Sequence, residues 1–126
     1  MEITACYPEI FVKDLDAALK RYTEELGFTR LHTVDDGFVK LHVLDLQGCC
    51  VDIFTSDDKD IRMEQDGFYA MRVNVRDFDE GIAYYKAHGY RITLGPASTP
   101  FMKLAVLEKE TGDRIFLFHH IREHTP

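Results

Sequence analysis

Two hydrophobic rhythms alternate along this chain. Residues 7–12 (YPEIFV) and 69–75 (YAMRVNV) change character at every step, the pattern of strands with one face against a core. The stretches that follow them have a helical period. Leu15, Ala18, Leu19, Tyr22 and Leu26 fall on one helical face, and Phe78, Ile82 and Tyr85 fall on another. Asp14 and Asp77 stand where an N-cap is wanted, because a short side-chain oxygen can take a free helix N–H. Gly27 and Gly89 supply the left-handed residue that ends each helix.

The two stretches are copies of one plan. FVKDLDAALKRYTEELGF (residues 11–28) matches NVRDFDEGIAYYKAHGY (residues 74–90), each passing from strand through V-x-D-[LF]-D into a helix that ends at Gly and an aromatic residue. HVLDLQGCCVDIF (residues 42–54) and AVLEKETGDRIFLF (residues 105–118) both read strand, glycine turn, strand. Each half is therefore strand, helix and three more strands. Module one covers about residues 3–55, module two about 68–121, and the acidic, turn-rich stretch at about 56–67 links them within a single domain of residues 1–126. LGPASTP (residues 94–100) reads as a loop interrupting the second ladder.

A β-α-β-β-β unit repeated twice, with V-x-D-L opening the helix, resembles the vicinal oxygen chelate superfamily. Its members include glyoxalases, ring-cleaving dioxygenases, epimerases and bleomycin resistance proteins. The resemblance implies an α+β fold of two βαβββ modules, whose curved mixed sheets carry helices on one face and a ligand cavity on the other. It leaves function open, since one fold hosts catalysts and plain binders.

With the helix side fixed by Ile10, Val12, Val51, Ile53, Met71, Val73, Val75, Ile115 and Leu117, alternation assigns the opposite face. Tyr7, Glu9, Phe11, Cys50, Asp52, Phe54, Ala70, Arg72, Asn74, Arg114, Phe116 and Phe118 fall there, and the repeat adds Lys40, His42, Lys103 and Ala105. Metal-dependent members of the superfamily place ligands at positions that here hold Tyr7, Asp52, Ala70 and Phe116. Alanine and phenylalanine offer no donor, so the resemblance implies that the usual metal site is lost and that no cofactor is needed.

If the hairpin closes symmetrically about Gln47, His42 faces Asp52 with Cβ atoms roughly 5 Å apart. That pair reads either as a general base with its orienting carboxylate or as a polar pair in a wet cavity. Glu9 joins them only if its strand adjoins the hairpin. In the resembling fold the first strands of the two halves meet near a pseudo-twofold axis, which would let Glu9 and Arg72 form a salt bridge. Tyr7, Phe11, Phe54, Phe116 and Phe118 are either a stacking wall for a planar ligand or a plug. His32, His88, His119, His120 and His124 read as surface or tail residues.

Composition narrows the partners. Fifteen basic residues against 22 acidic ones give a net charge of -7, and there is no basic stripe for nucleic acid. No apolar run reaches the roughly 18 to 20 residues of a membrane span, and the first residues lack the charged-then-apolar layout of a signal peptide. A cytoplasmic location follows as an expectation. Cys6, Cys49 and Cys50 read as reduced, packed thiols. Counting Lys40, Arg72, Lys103 and Arg114 against Glu9 and Asp52 leaves the expected cavity positive and favours an anionic ligand.

The expected function is a metal-independent, glyoxalase- or bleomycin-resistance-like protein that binds a small anionic or planar molecule, as a homodimer. The alternative is a lyase or isomerase using His42 and Asp52, or a non-standard metal site. A third reading is a structural domain whose cavity is filled by Phe116 and Phe118.

Overall fold

The computed structural model describes residues 1–35, 37, 39–100 and 102–120. Both helix starts form as their sequences dictate. Asp14 and Asp77 keep extended backbones, and their carboxylates accept the N–H groups of Ala17 and Glu80, each at 3.0 Å. Caps of this kind stabilise a helix by about 1 kcal/mol. The first helix, α1 (Leu15–Lys20), runs on into a π-helical turn at Arg21–Glu25, whereas α2 (Phe78–Ala87) is regular throughout. Gly27 and Gly89, at φ of +86° and +90°, end them.

The π turn has a cause in the sequence. Gly27 lies thirteen positions after Asp14, while Gly89 lies twelve after Asp77. The first repeat must seat one more residue between the same two landmarks, and a wider turn absorbs it. The wider turn also displaces Leu26, which is half exposed at 52% and not on the buried helical face that its spacing suggested.

The strands of the first repeat are β1 (Ile3–Phe11), β2 (Thr29–Asp35), β3 (Lys40–Leu46) and β4 (Cys49–Thr55). Those of the second are β5 (Gly67–Val75), β6 (Arg91–Ser98), β7 (Met102–Glu108) and β8 (Arg114–His120). The chain forms two compact units. One is Tyr7–Tyr69, and the other joins Met1–Cys6 to the chain from Ala70 onward.

In the first unit the strand order is β2-β3-β4-β1, with β1 and β4 parallel and the other neighbours antiparallel. Val12, Leu15, Ala18, Leu44, Val51 and Ile53 bury the contact between α1 and this sheet. The second unit repeats the plan as β5-β8-β7-β6, with β5 and β8 parallel. Its core under α2 is Val73, Val75, Phe78, Tyr85, Ala105, Leu107 and Leu117. Gly81 lets α2 sit close, since a Cβ there would lie 3.1 Å from Leu117 and 3.2 Å from Val75. The N-terminal residues are tied into this unit: Thr4 Oγ1 donates to the Asn74 carbonyl at 3.3 Å, and the Arg76 N–H donates to the Glu2 carbonyl at 3.1 Å.

LGPASTP is largely strand. Ala97 and Ser98 pair with Leu104 and Lys103, and the ladder is irregular between Ile92 and Leu94 and again between Leu94 and Ala97. Gly and Pro read as a break, yet an edge strand tolerates both where the ladder bulges. The expected end of module two at residue 121, and His124, lie outside the described residues.

Candidate functional site

Each unit turns one face of its strands to its helix, and Glu9, Asp52, Arg72 and Asn74 lie on the opposite faces. In the first unit the parallel register sets Glu9 beside Asp52 and Phe11 beside Phe54. Across the hairpin Asp52 faces Val43, which faces His32; Phe54 faces Leu41, which faces Val34. One row on this face therefore reads Glu9, Asp52, Val43, His32, and the next reads Phe11, Phe54, Leu41, Val34. Glu9 and Asp52 are both 0% exposed. Two carboxylates on neighbouring strands, taken wholly out of water, are costly unless they are hydrogen-bonded. The strand of Glu9 does adjoin the hairpin.

His42 is not part of this row. The hairpin closes on a two-residue turn, Gln47-Gly48, with positive φ at both positions (50° and 92°), so Leu46 pairs with Cys49 and His42 with Ile53. The expected symmetric turn about Gln47 misses this register by one residue, and one residue exchanges the faces of a strand. His42 and Lys40 consequently share the face of Ile53 and Leu44 beneath α1. By the matching register, Lys103 and Ala105 pair with His119 and Leu117 on the α2 side. The structure does not bring His42 and Asp52 together.

His42 has a role of its own under α1. The Arg30 guanidinium donates to Thr33 Oγ1 at 3.0 Å, and that hydroxyl meets His42 Nδ1 at 2.7 Å. With its oxygen accepting the hydrogen bond from Arg30, the Thr33 hydroxyl is set to donate to an unprotonated Nδ1, the arrangement of a neutral ring. Burial, then the charges of Arg30 and Lys40, push the imidazole below its ordinary 6.5, against a weaker upward pull from Asp16. Above pH 6.5 folded and unfolded chains both carry neutral His42. As pH falls below 6.5 the unfolded chain takes the proton first, so stability declines until the lowered folded value is passed and then levels off. Urea unfolding between pH 5 and 8 will show this decline in the native chain and a flatter profile in His42→Leu.

The aromatic residues of the first unit pack on one another. Phe11 and Phe54 are 0% exposed, with ring centroids 5.6 Å apart, edge to face. Tyr69 adds a second edge contact to Phe54 at 5.2 Å, and the Arg62 guanidinium lies over Phe11 at 5.6 Å. Arg62 also donates to the Ser56 carbonyl at 3.2 Å, and the Lys13 N–H donates to Asp66 Oδ1 at 2.9 Å. The segment expected to be a plain linker thus covers the Phe11–Phe54 pair. Sequence reasoning missed Arg62 and Tyr69, for which alternation within the repeated strands gives no signal. Tyr7 is half buried in β1.

The equivalent face of the second unit has different chemistry. Arg72 pairs in register with Phe116 and Val106, and Asn74 with Phe118 and Leu104. The row Glu9, Asp52, Val43 is answered by Arg72, Phe116, Val106. Phe116 and Phe118 touch edge to face at 4.6 Å, and the Arg72 guanidinium stands over Phe118 at 5.5 Å. Arg72 is 5% exposed and Asn74 6%. An Arg72 Nη donates to Asn74 Oδ1 at 3.4 Å, and Asn74 Nδ2 lies 3.1 Å from His120 Nε2. His119 and His120 are therefore not tail residues: both belong to β8, and His119 Nδ1 reaches the Val75 carbonyl at 3.1 Å. At the far end of β8, Arg114 pairs with Glu108, with Nε to Oε2 at 3.6 Å.

These placements alter the charge argument. Without Lys40 and Lys103, the assigned open-face cations are Arg72 and Arg114, which the carboxylates of Glu9 and Asp52 already equal. Asp45 and Glu108 join the same faces through Cys50 and Arg114. A preference for anions has to rest on the local setting of Arg72. Cys50 lies 3.6 Å from Asp45, and burial, followed by that hydrogen bond, pushes its thiol above the ordinary value.

The residues at the four ligand positions do not suit a divalent ion. In the first unit Asp52 supplies a carboxylate and Tyr7 only a phenol; in the second, Ala70 and Phe116 supply nothing. Among the described residues no group of three or more His, Cys, Asp or Glu stands where it could hold a metal. None of the described helices is long and apolar enough to cross a membrane.

Two four-strand arrangements of identical plan, each with one helix on one face, define a duplicated βαβββ protein. The chain belongs to the Glyoxalase/Bleomycin resistance protein/Dioxygenase superfamily, whose family model matches residues 4–115. Among solved structures it is similar to a hypothetical protein from Bacillus halodurans C-125 (TM-score 0.69, 17% identity, covering 95% of this chain and 96% of that one). It is also similar to methylmalonyl-CoA epimerase from Mycobacterium tuberculosis (TM-score 0.69, 19% identity, 93% and 88% covered). A variant of the Streptomyces coelicolor methylmalonyl-CoA epimerase, in complex with 2-nitronate-propionyl-CoA, aligns at TM-score 0.68 with 18% identity over 99% and 100% of the chains. At these identities the likeness is one of fold. No curated protein matches.

Proposed function

We propose that this protein binds a small, planar organic anion without the help of a metal, and that Arg72 holds the anionic group. One observation carries the reading: a guanidinium only 5% exposed stands over the Phe118 ring, with Asn74 as a hydrogen-bond acceptor beside it. An arginine offers a carboxylate or sulfonate two parallel donors, and Phe116 and Phe118 offer the ring of such a ligand an apolar, edge-contacting partner. Asn74 belongs to the same contact set. The protein acts in the cytoplasm as a homodimer.

Thermal-shift titrations with benzoate and benzenesulfonate, run beside neutral benzamide, test the reading. The anions should raise the melting temperature and benzamide should not, with the same result in the presence of a chelator. Equal shifts for benzoate and benzamide would refute the role of Arg72, and loss of the shift on chelation would refute metal independence.

A second reading is favoured by the register of Glu9 and Asp52. Two buried carboxylates side by side on parallel strands are suited to take a proton from, and return it to, a carbon acid, as an isomerase requires. Its test is exchange of the α-hydrogen of methylmalonyl-CoA in D2O. Exchange that falls about 100-fold or more in Asp52→Asn would put this reading first.

A further inference from the structure

We infer that His120 positions Arg72 through Asn74, so that protonation of this imidazole loosens the guanidinium and weakens anion binding. The inference rests on the reading of Arg72 as the anion-holding group and adds a regulatory residue to it.

The argument is one of donors and acceptors. A guanidinium can only donate, so the Asn74 amide must turn its oxygen to Arg72, and the 3.4 Å contact to Oδ1 has that sense. The amide nitrogen is thereby committed to His120, 3.1 Å away at Nε2. An amide nitrogen has no lone pair to offer, so Nε2 must be the acceptor, and the His120 that completes the chain is neutral with its proton on Nδ1. Protonation turns Nε2 into a donor. Asn74 must then either lose its contact or flip, and a flipped amide points N–H groups at the N–H groups of Arg72. Neither arrangement keeps the guanidinium where it was.

The setting of His120 makes it fit for this use. It is exposed at the end of β8, whereas Arg72 and Asn74 are buried, so the proton arrives at the accessible end of the chain of bonds. Across from it on β7 stands Met102, which carries no charge. From β5 it faces Asn74, with Arg72 behind. Arg114 and Glu108 pair with each other at the opposite end of β8 and β7, and Lys103 and His119 share the α2 side. Imidazole is the side chain whose charge ordinarily changes between about pH 5 and 8.

The test uses benzenesulfonate, whose charge is constant over that range, titrated by calorimetry from pH 8 to pH 5. Affinity should fall roughly three- to tenfold towards acid pH, the loss of one positioning hydrogen bond. In His120→Gln, which can present an amide oxygen at every pH, the profile should be flat and near the native value at pH 8. Affinity that rises in acid would mean that His120 acts only as one more positive charge, and a flat native profile would mean no coupling; either overturns the inference. Nitrogen-15 NMR of the Asn74 amide and the Arg72 Nε–H gives a readout that needs no ligand. Both signals should titrate together in the native chain and stand still in His120→Gln, whether or not benzenesulfonate binds. If they are indifferent to pH, the coupling is refuted independently of the binding reading.

Discussion

Replacing Arg72 with methionine will remove benzoate and benzenesulfonate binding from the measurable range, a loss of at least about 30-fold, while the circular dichroism spectrum stays native. The size follows from the burial of the guanidinium. At 5% exposure its charge is little screened, and deleting one member of a buried charged contact costs about 2–5 kcal/mol of binding. Methionine fills similar space with a flexible apolar chain and leaves Phe118 a partner. Arg72→Lys refines the test. Lysine keeps the charge but presents a point donor instead of a planar fork, so binding should persist at reduced strength. Full affinity in Arg72→Met, measured by calorimetry, would move the ligand away from this face of the second unit altogether.

The largest effect on stability is expected at Phe54. It is wholly buried, with Phe11 at 5.6 Å and Tyr69 at 5.2 Å, both edge to face. Phe54→Ala removes the ring from the centre of this set and should cost about 3–5 kcal/mol, a melting-temperature drop on the order of 10–20 °C. Urea denaturation gives the value directly. A cost under about 1 kcal/mol would mean that the surrounding rings yield easily and that Phe54 is a movable wall rather than a fixed filling. Phe54→Leu should lose less, since it keeps most of the apolar volume.

Much of this arrangement could be read from the chain alone, and what failed did so for local reasons. The N-caps at Asp14 and Asp77 were readable because a short acid before a helical rhythm has one efficient use. The face of the first unit that carries Glu9 and Asp52, and the face of the second that carries Arg72, Phe116 and Phe118, followed from strand alternation anchored on Val51, Ile53, Val73 and Leu117. His42 was misplaced because a hairpin's register depends on a turn only two residues long, and alternation magnifies a miscount of one into the wrong side of the sheet. His120 reads as tail in the sequence because no spacing announces a hydrogen bond to Asn74, 46 residues away. The strand through Gly95 and Pro96 was hidden by residues that punctuate most sequences yet sit acceptably in a bulged edge.

The π turn at Arg21–Glu25 has a consequence for how the length of this chain can change. Its extra residue is housed between an intact cap at Asp14 and an intact stop at Gly27, with the Leu26 N–H bonded to the Arg21 carbonyl at 3.2 Å and the Phe28 N–H to the Tyr22 carbonyl at 3.0 Å. Loss of one codon within those five would return the segment to the spacing that α2 already uses, leaving the strands on either side in register. The turn is thus a point within the helical segment at which the two copies can differ in length without the sheets being rebuilt.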